Sequence, residues 1–286
     1  MLRFSFLLLV LLAIVGTGCK KQTGCTDPNA VNYDPEAKKS ADNCVMPEQT
    51  RQVLLVKFTA IWCPPCGGWG ADAFKQFQAD YAGDIITIAS HGSNSQPDVL
   101  TNDASLAFFN NFPVTGFPNF LVGTSFEGAT SNISQAMDAM LALPVTANGA
   151  LVYEKGEEAY TIEAKVQFFD DVQGDYYLGV YVLENSIPGG DDAGAAYDQK
   201  GDNSTSYTHN YVLRAHGFAQ AFGAAVANGS IGANESFDLS TSIAIDNGWE
   251  VENQTVVGVL WKKSGSEYAY VNAFSGVDAS TLVTEE

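Results

Sequence analysis

The sequence predicts an α/β domain followed by an all-β antiparallel sandwich, and three observations carry that expectation. Between Gln52 and Leu143, short apolar runs alternate with segments of helical period, the pattern of strands and helices layered in one sheet. After Pro144 no segment of convincing helical period follows, and several runs alternate apolar with polar residues. At 286 residues the chain also exceeds one average domain. The expected division is residues 50–144 for the α/β part and 145–286 for the sandwich.

Arg3 precedes an apolar run, Phe4 to Val15, and "GTGC" follows at Gly16 to Cys19. About 12 apolar residues fall short of the roughly 20 that span a bilayer, so residues 1–18 read as a signal peptide. Small residues directly before a cysteine resemble the bacterial lipobox. That resemblance implies that Cys19 is diacylated and becomes the mature N-terminus, although Gly16 stands where the pattern prefers Leu. Lys20 rather than Asp after the cysteine then implies the outer membrane, with the protein facing the periplasm or the surface. Ordinary secretion with cleavage nearby is the alternative. Losing residues 1–18 removes only Arg3, leaving 13 basic against 33 acidic residues and a net charge of −20. Such a surface excludes nucleic acid as a partner.

Export places the chain in an oxidising compartment, where its five cysteines become informative. With Cys19 lipidated, the others divide by proximity into Cys25 with Cys44 and Cys63 with Cys66. Residues 19–49 are polar and rich in turns, with "DPNA" at Asp27 recurring as "DPEA" at Asp34, too few apolar groups for a core of their own. The stretch from Cys25 to Cys44 resembles a small cysteine-bracketed module near the ends of some Gram-negative secreted and surface proteins. A disulfide there closes a 20-residue loop, worth roughly 3 kcal/mol. Its Asp and Asn oxygens suit calcium, but no spacing matches an EF-hand, and a solvated tether is the simpler expectation. No other cofactor is expected.

Within 50–144, Val53 to Ala60 reads as a buried strand. Pro64 to Tyr81 reads as a helix, with Trp69, Ala73, Phe77 and Tyr81 on one face. Ile85 to Ala89 is a second strand, Asp103 to Asn111 a short helix, "FPNFLVG" a strand, Phe126 and Glu127 a further one, and Ser131 to Leu143 a helix. In 145–286, about seven strands are expected. Clear runs lie at Tyr160–Phe168, Tyr176–Glu184, Tyr211–Arg214, Phe237–Ile245, Val256–Trp261 and Tyr268–Phe274. The Gly, Asp and Ser-rich stretch from Ile187 to Asn210 interrupts them and reads as a mobile solvated loop, with a cation site as the alternative.

The chemistry concentrates in "FTAIWCPPCGGWG", Phe58 to Gly70. Zinc wants four ligands, and His91, His209 and His216 are scattered along the chain, each read as a surface or packing residue. A structural Cys63–Cys66 staple closes too small a loop to add much stability. No GxSxG and no glycine-rich phosphate loop is present. A strand running into Cys63 and then a helix gives Cys63 the attacking position, with unpaired backbone N–H groups favouring a thiolate. Cys66, one turn on, is placed to resolve a mixed disulfide.

"VLLVKFTAIWCPPC" resembles the thioredoxin active-site strand and motif, and "FPVTGFPNFLV" is similar to that family's cis-proline loop. The resemblance implies an α/β thioredoxin-like fold for residues 50–144 and a cis Pro118. It also implies that the Phe117 backbone pairs with a bound peptide, and that Trp62 and Pro118 shape the contact surface. Where the family has a buried Asp six residues before the first cysteine, this chain has Lys57, which puts proton handling by Cys66 in question. Gly67, Gly68 and Gly70 are costly in a helix and read either as clearance for a bulky substrate or as a late helix start. The whole arrangement, with "YTHNYVLRAHG" at Tyr207 to Gly217, resembles the outer-membrane-protein-28-related lipoproteins. Two functions follow. One is a thiol:disulfide oxidoreductase acting on exported protein thiols or disulfides. The other is a non-catalytic binding lipoprotein that uses the fold as a scaffold.

Overall fold

The computed structural model describes residues 23–93, 96–127, 130–190, 197–202 and 206–282. The expected signal peptide and Cys19 lie outside these residues. In the N-terminal module β1 (Thr23–Gly24) pairs with β2 (Lys39–Ser40), and a disulfide joins Cys25 to Cys44. Its two "DP" turns are built alike: Asp27 Oδ1 accepts from the Asn29 N–H and Asp34 Oδ1 from the Glu36 N–H, both at 2.8 Å. These are Asx turns, in which a carboxylate caps nearby backbone. The module is no free tether, because the Asn43 side-chain amide donates to the Leu282 carbonyl at 2.7 Å and fixes it to the far end of the chain.

The next segment supplies β3 (Val53–Thr59), α1 (Pro64–Gly67), α2 (Trp69–Asp80), β4 (Ile85–His91), α3 (Asp103–Asn111), β5 (Asn119–Val122), β6 (Ser125–Glu127) and α4 (Thr130–Leu141). All seven residues of β3 are buried, as a strand covered on both faces requires. Asn102 and Ser105 form a reciprocal capping box that starts α3. Then come β7 (Ala147–Lys155), β8 (Ala159–Phe168), β9 (Val172–Glu184), β10 (Ile187–Pro188), β11 (Thr208–His209), β12 (Val212–His216), β13 (Ala224–Ile231), β14 (Ser236–Ala244), β15 (Gln254–Ser264), β16 (Glu267–Ser275) and β17 (Val277–Asp278). Strands dominate, in several sheets, with few helices. β7 and β13 escaped the sequence reading because small and polar residues blur their alternation: "ANGALVYEK" and "AAVANGSI".

The two expected domains share one sheet. Its order is β16-β15-β9-β12-β4-β3-β5-β6, with β13 on the first half of β9, nine strands in all. The seam is the parallel pairing of β12 with β4, where the Ala89 N–H donates to the Tyr211 carbonyl at 2.7 Å. A second sheet, β14-β8-β7-β17, packs over the β9, β15 and β16 end. Helices α2 and α4 cover the β3 and β5 end of the same face, while α3 lies on the opposite face. There a single aromatic-rich core runs across the seam, joining Leu54, Phe58 and Phe108 to Tyr181, Phe222 and Trp261. Phe222 stacks on Tyr268 at 4.5 Å, and the indole of Trp261 donates to the Tyr181 hydroxyl at 3.0 Å. A boundary at residue 144 therefore marks a change of pattern along the chain and not a gap in packing. Asn272, fully buried, ties the parts again by donating to the Thr50 and Ala147 carbonyls.

A core shared in this way makes the parts unfold together. Trp261→Ala is expected to lower the unfolding free energy by roughly 3–5 kcal/mol in a urea titration, with circular dichroism and fluorescence transitions still coincident.

Candidate functional site

Strand β3 delivers the chain to Ala60, and the Cys63 N–H closes a turn onto the Ala60 carbonyl at 3.2 Å. Cys63 is the N-cap of α1, with Pro64 at the start of the helix, where its missing N–H costs nothing. Cys63 and Cys66 are joined by a disulfide, with Cα atoms 5.3 Å apart. The expected helix from Pro64 to Tyr81 is not continuous. It stops at Gly68, whose φ of −83° and ψ of −118° break it, and restarts as α2. The restart turns the buried face to Ala71, Phe74 and Phe77 and leaves Trp69 half exposed, not in the core as its spacing implied.

The late helix start holds for α2, and the glycines also permit close approaches. The Phe117–Pro118 peptide is cis, and a Cβ on Gly70 would lie 2.6 Å from Pro118 Cγ, so only glycine lets that ring lie against the start of α2. A Cβ on Gly67 would meet the Lys200 carbonyl oxygen at 2.5 Å. The clearance at the start of the helix is thus filled by the chain itself. Trp62 packs edge-on to Phe117, ring centroids 5.5 Å apart, and both rings border Cys63 and Cys66.

Lys57 is buried beneath the motif, where Nζ donates to the Cys66 carbonyl at 3.1 Å and lies 5.5 Å from the Phe74 ring centroid. Burial, and then the positive charge of Lys75, push its pKa down to about 7. Burial thus favours the neutral amine, which carries a free lone pair, beside Cys66. Lys57 lines a small cavity of about 30 Å³ with Thr59, His91 and His209, larger than the roughly 10–15 Å³ that one water needs.

His91 and His209 are scattered in sequence but meet here, with ring centroids 5.3 Å apart and both side chains buried. His91 Nδ1 donates to Asp98 Oδ2 at 3.0 Å, and His209 Nε2 donates to the Tyr197 carbonyl at 2.9 Å. Burial, and next the neighbouring His91, drive the pKa of His209 down to about 3, so its ring is neutral. Burial pushes the Asp98 carboxyl up, but the His91 hydrogen bond and charge and the Ile61 and Leu100 N–H groups outweigh it, leaving Asp98 below its ordinary range. By accepting from the Ile61 N–H at 2.9 Å, Asp98 fixes the backbone just before Trp62. His216 lies elsewhere, its Nδ1 hydrogen-bonded to the Phe218 carbonyl. Among the described residues, no group of three or more His, Cys, Asp or Glu side chains is placed to hold a metal ion.

The stretch from Ile187 to Asn210, expected as a solvated loop, instead docks onto this site in its described parts. β10 pairs with β11, the Lys200 N–H donates to the Ile61 carbonyl at 2.7 Å, and Gln199 is 1% exposed. Asp98 and Gln199 were missed from sequence because no spacing connects either to the cysteines.

No family model and no curated protein matches the chain. Among solved structures, a domain of the outer membrane lipoprotein Omp28 from Porphyromonas gingivalis is similar over 47% of this chain and 89% of that one, at 15% identity and a TM-score of 0.31. Two structures of β-glucosidase from Kluyveromyces marxianus, one bound to glucose, cover 47% of this chain but only 15% and 14% of their own, at 11% identity and a TM-score of 0.20. At such TM-scores these likenesses carry no argument about activity.

The sign of the Lys57 effect on stability is testable. Between pH 7 and the ordinary lysine range, the unfolded chain holds a proton that the folded chain has shed, so stability rises with pH across that window. Lys57→Met lacks this contribution. In urea titrations the wild type is expected to gain on Lys57→Met by at least about 1.4 kcal/mol, one pKa unit's worth, as pH rises from about 6 to 10.

Proposed function

We propose that the protein is an exported thiol:disulfide oxidoreductase, anchored through Cys19 to the outer membrane, that exchanges disulfides with envelope proteins through Cys63 and Cys66. One observation carries this reading: the two cysteines occupy a single turn at the end of a buried strand, flanked by cis-Pro118, with the Lys57 amine against Cys66. That arrangement supports a thioredoxin-like assignment for residues 50–144.

In the reductive direction the Cys63 thiolate attacks a substrate disulfide. A mixed disulfide forms, and the departing substrate sulfur takes a proton. Neutral Lys57 accepts the Cys66 thiol proton, and the Cys66 thiolate attacks Cys63 Sγ. The Cys63–Cys66 bond forms while the second substrate sulfur leaves as a thiol. Two electrons pass to the substrate, and the reverse sequence oxidises a dithiol. Lys57 thus takes the proton-accepting part that a carboxylate plays in the family this segment resembles. Trp62, Phe117 and Pro118 supply the contact surface.

A second reading, a non-catalytic binding lipoprotein, is favoured by one fact: Cys63 is only 3% exposed. Cys66→Ala distinguishes the two. In the reduced protein it is expected to accumulate mixed disulfides with envelope proteins; no adduct, together with no turnover of a model disulfide by wild type, rules exchange out. Lys57→Met is expected to slow resolution at pH 7 by roughly 10²-fold or more and to abolish its inflection near pH 7, as measured by quenched-flow thiol alkylation.

A further inference from the structure

Both sulfurs of the centre are covered. Cys63 is 3% and Cys66 0% exposed, although the cysteines sit at the end of a strand. Trp62 and Phe117 pack against the cysteines, and the segment from Tyr197 to Asp202 lies on the backbone of the turn that holds them. Its backbone is pinned by the Lys200 N–H on the Ile61 carbonyl and by the Gln199 N–H on the Gly189 carbonyl at 2.9 Å. Tyr197 packs with Ile61, Leu100, Ile187, Val212 and Trp62, and its carbonyl receives the His209 N–H. Gly201 has a φ of +86°, and a Cβ there would lie 2.0 Å from the Pro64 carbonyl oxygen. Its backbone therefore rests directly on the Cys-Pro-Pro-Cys turn, in a conformation other residues rarely adopt.

Gln199 is the centre of this contact. Its Nε2 faces the carbonyls of Ala60, Ile61 and Cys63 at 3.2 Å each, and of Lys200 at 3.1 Å. With only carbonyls around it, the amide orientation is fixed by the network. Two N–H groups serve four acceptors, while Oε1 is buried without a hydrogen-bond partner among the described residues. Such an unpaired acceptor offsets part of what the clamp contributes, so the segment is held but is not locked.

We infer that residues 197–202 form a strap that occludes the Cys63–Cys66 disulfide, and that exchange proceeds only from a state in which the strap has lifted, with Gln199 setting how often it lifts. Disulfide exchange needs a sulfur nucleophile to reach the sulfur it attacks, so its rate depends on access. The Ile61 carbonyl, which accepts from the Lys200 N–H and from Gln199, becomes a free acceptor for an N–H group of an incoming extended chain, while the Cys63 carbonyl keeps the Cys66 N–H of its own turn. The inference deepens the exchange reading and rests on it for its use, but the occlusion can be tested without turnover.

The test is stoichiometric reduction of the folded, oxidised protein by dithiothreitol, followed by alkylation and mass spectrometry of each cysteine pair. A dithiothreitol thiolate attacks Cys63 Sγ, and the Cys63–Cys66 bond breaks with its electron pair on Cys66, which takes a proton. The second dithiothreitol thiol then closes the reductant's own disulfide and releases Cys63 as a thiol. Wild type is expected to show a rate that plateaus as dithiothreitol is raised, set by strap opening. Gln199→Ala and Gly201→Ala are expected to react at least tenfold faster at the plateau concentration. Cys25–Cys44 in the same molecules serves as the internal control and keeps its wild-type rate. Equal Cys63–Cys66 rates in wild type and both variants overturn the inference. Equal acceleration of both disulfides, which reports general loosening, overturns it too. If the variants open the centre but still turn over no model disulfide, the strap stands and the exchange reading falls.

Discussion

The pairing of β12 with β4 is the contact on which the rest of the molecule depends. It adds the strands of the C-terminal part to the edge of the N-terminal sheet, through Val212 beside Ala89 and the Tyr211 carbonyl on the Ala89 N–H. Tyr211 reaches this position with a φ of +57°, a left-handed conformation that is costly for a side chain of this size. The Asn185 carboxamide oxygen, accepting from the Tyr211 N–H at 2.9 Å, holds it there. The excursion between β9 and β12 leaves and returns at this seam, which keeps its described parts close to the end of β4. That is why His209 meets His91 and why Gln199 reaches the turn that holds Cys63.

Continuity of the sheet also explains where the apolar surface goes. One face of the shared sheet carries a core from Leu54 on β3 to Trp261 on β15. The opposite face is divided between helices at one end and the second sheet at the other. The charge at the seam is handled locally. Glu184, at the end of β9, is 2% exposed and pairs with Arg214 on β12 at 3.0 Å, while its other oxygen accepts the Glu250 N–H at 2.9 Å. The ion pair compensates the buried charge, although Glu184 Oε2 has no hydrogen-bond partner among the described residues. In a chain of net charge −19, the cavity at Lys57 is instead lined by Lys57, Lys75 and two histidines. The carboxylate nearby, Asp98, is committed to His91 and to two backbone N–H groups.

Much of this was legible along the chain because it is local. The buried strand β3, the proline at the start of α1, the helix α3 and the strands β8, β9, β14, β15 and β16 are set by side-chain period and by hydrogen bonds a few residues apart. So was the unusual lysine, since its position on an inward-facing strand fixes its burial. The break at Gly68 was half legible: the glycines announced an interruption, but their partners, Pro118 and the 199–202 segment, lie far off in sequence. β7 and β13 were lost because small and polar residues carry no clear period.

The sequence by itself determined the elements of the candidate site: two cysteines two residues apart after an apolar strand, a lysine six residues before the first of them and a proline loop about 50 residues on. Only the tertiary structure decided who may reach them. The bonds from Gln199 to the carbonyls of Ala60, Ile61 and Cys63 span 136 to 139 residues, and the meeting of His91 with His209 depends on the same seam. Neither leaves a periodic trace, because a polar loop reads alike whether its hydrogen-bond partner is water or the backbone of a distant turn. The difference is made by the apolar cores that bring β12 to β4, and with it the strap to the disulfide.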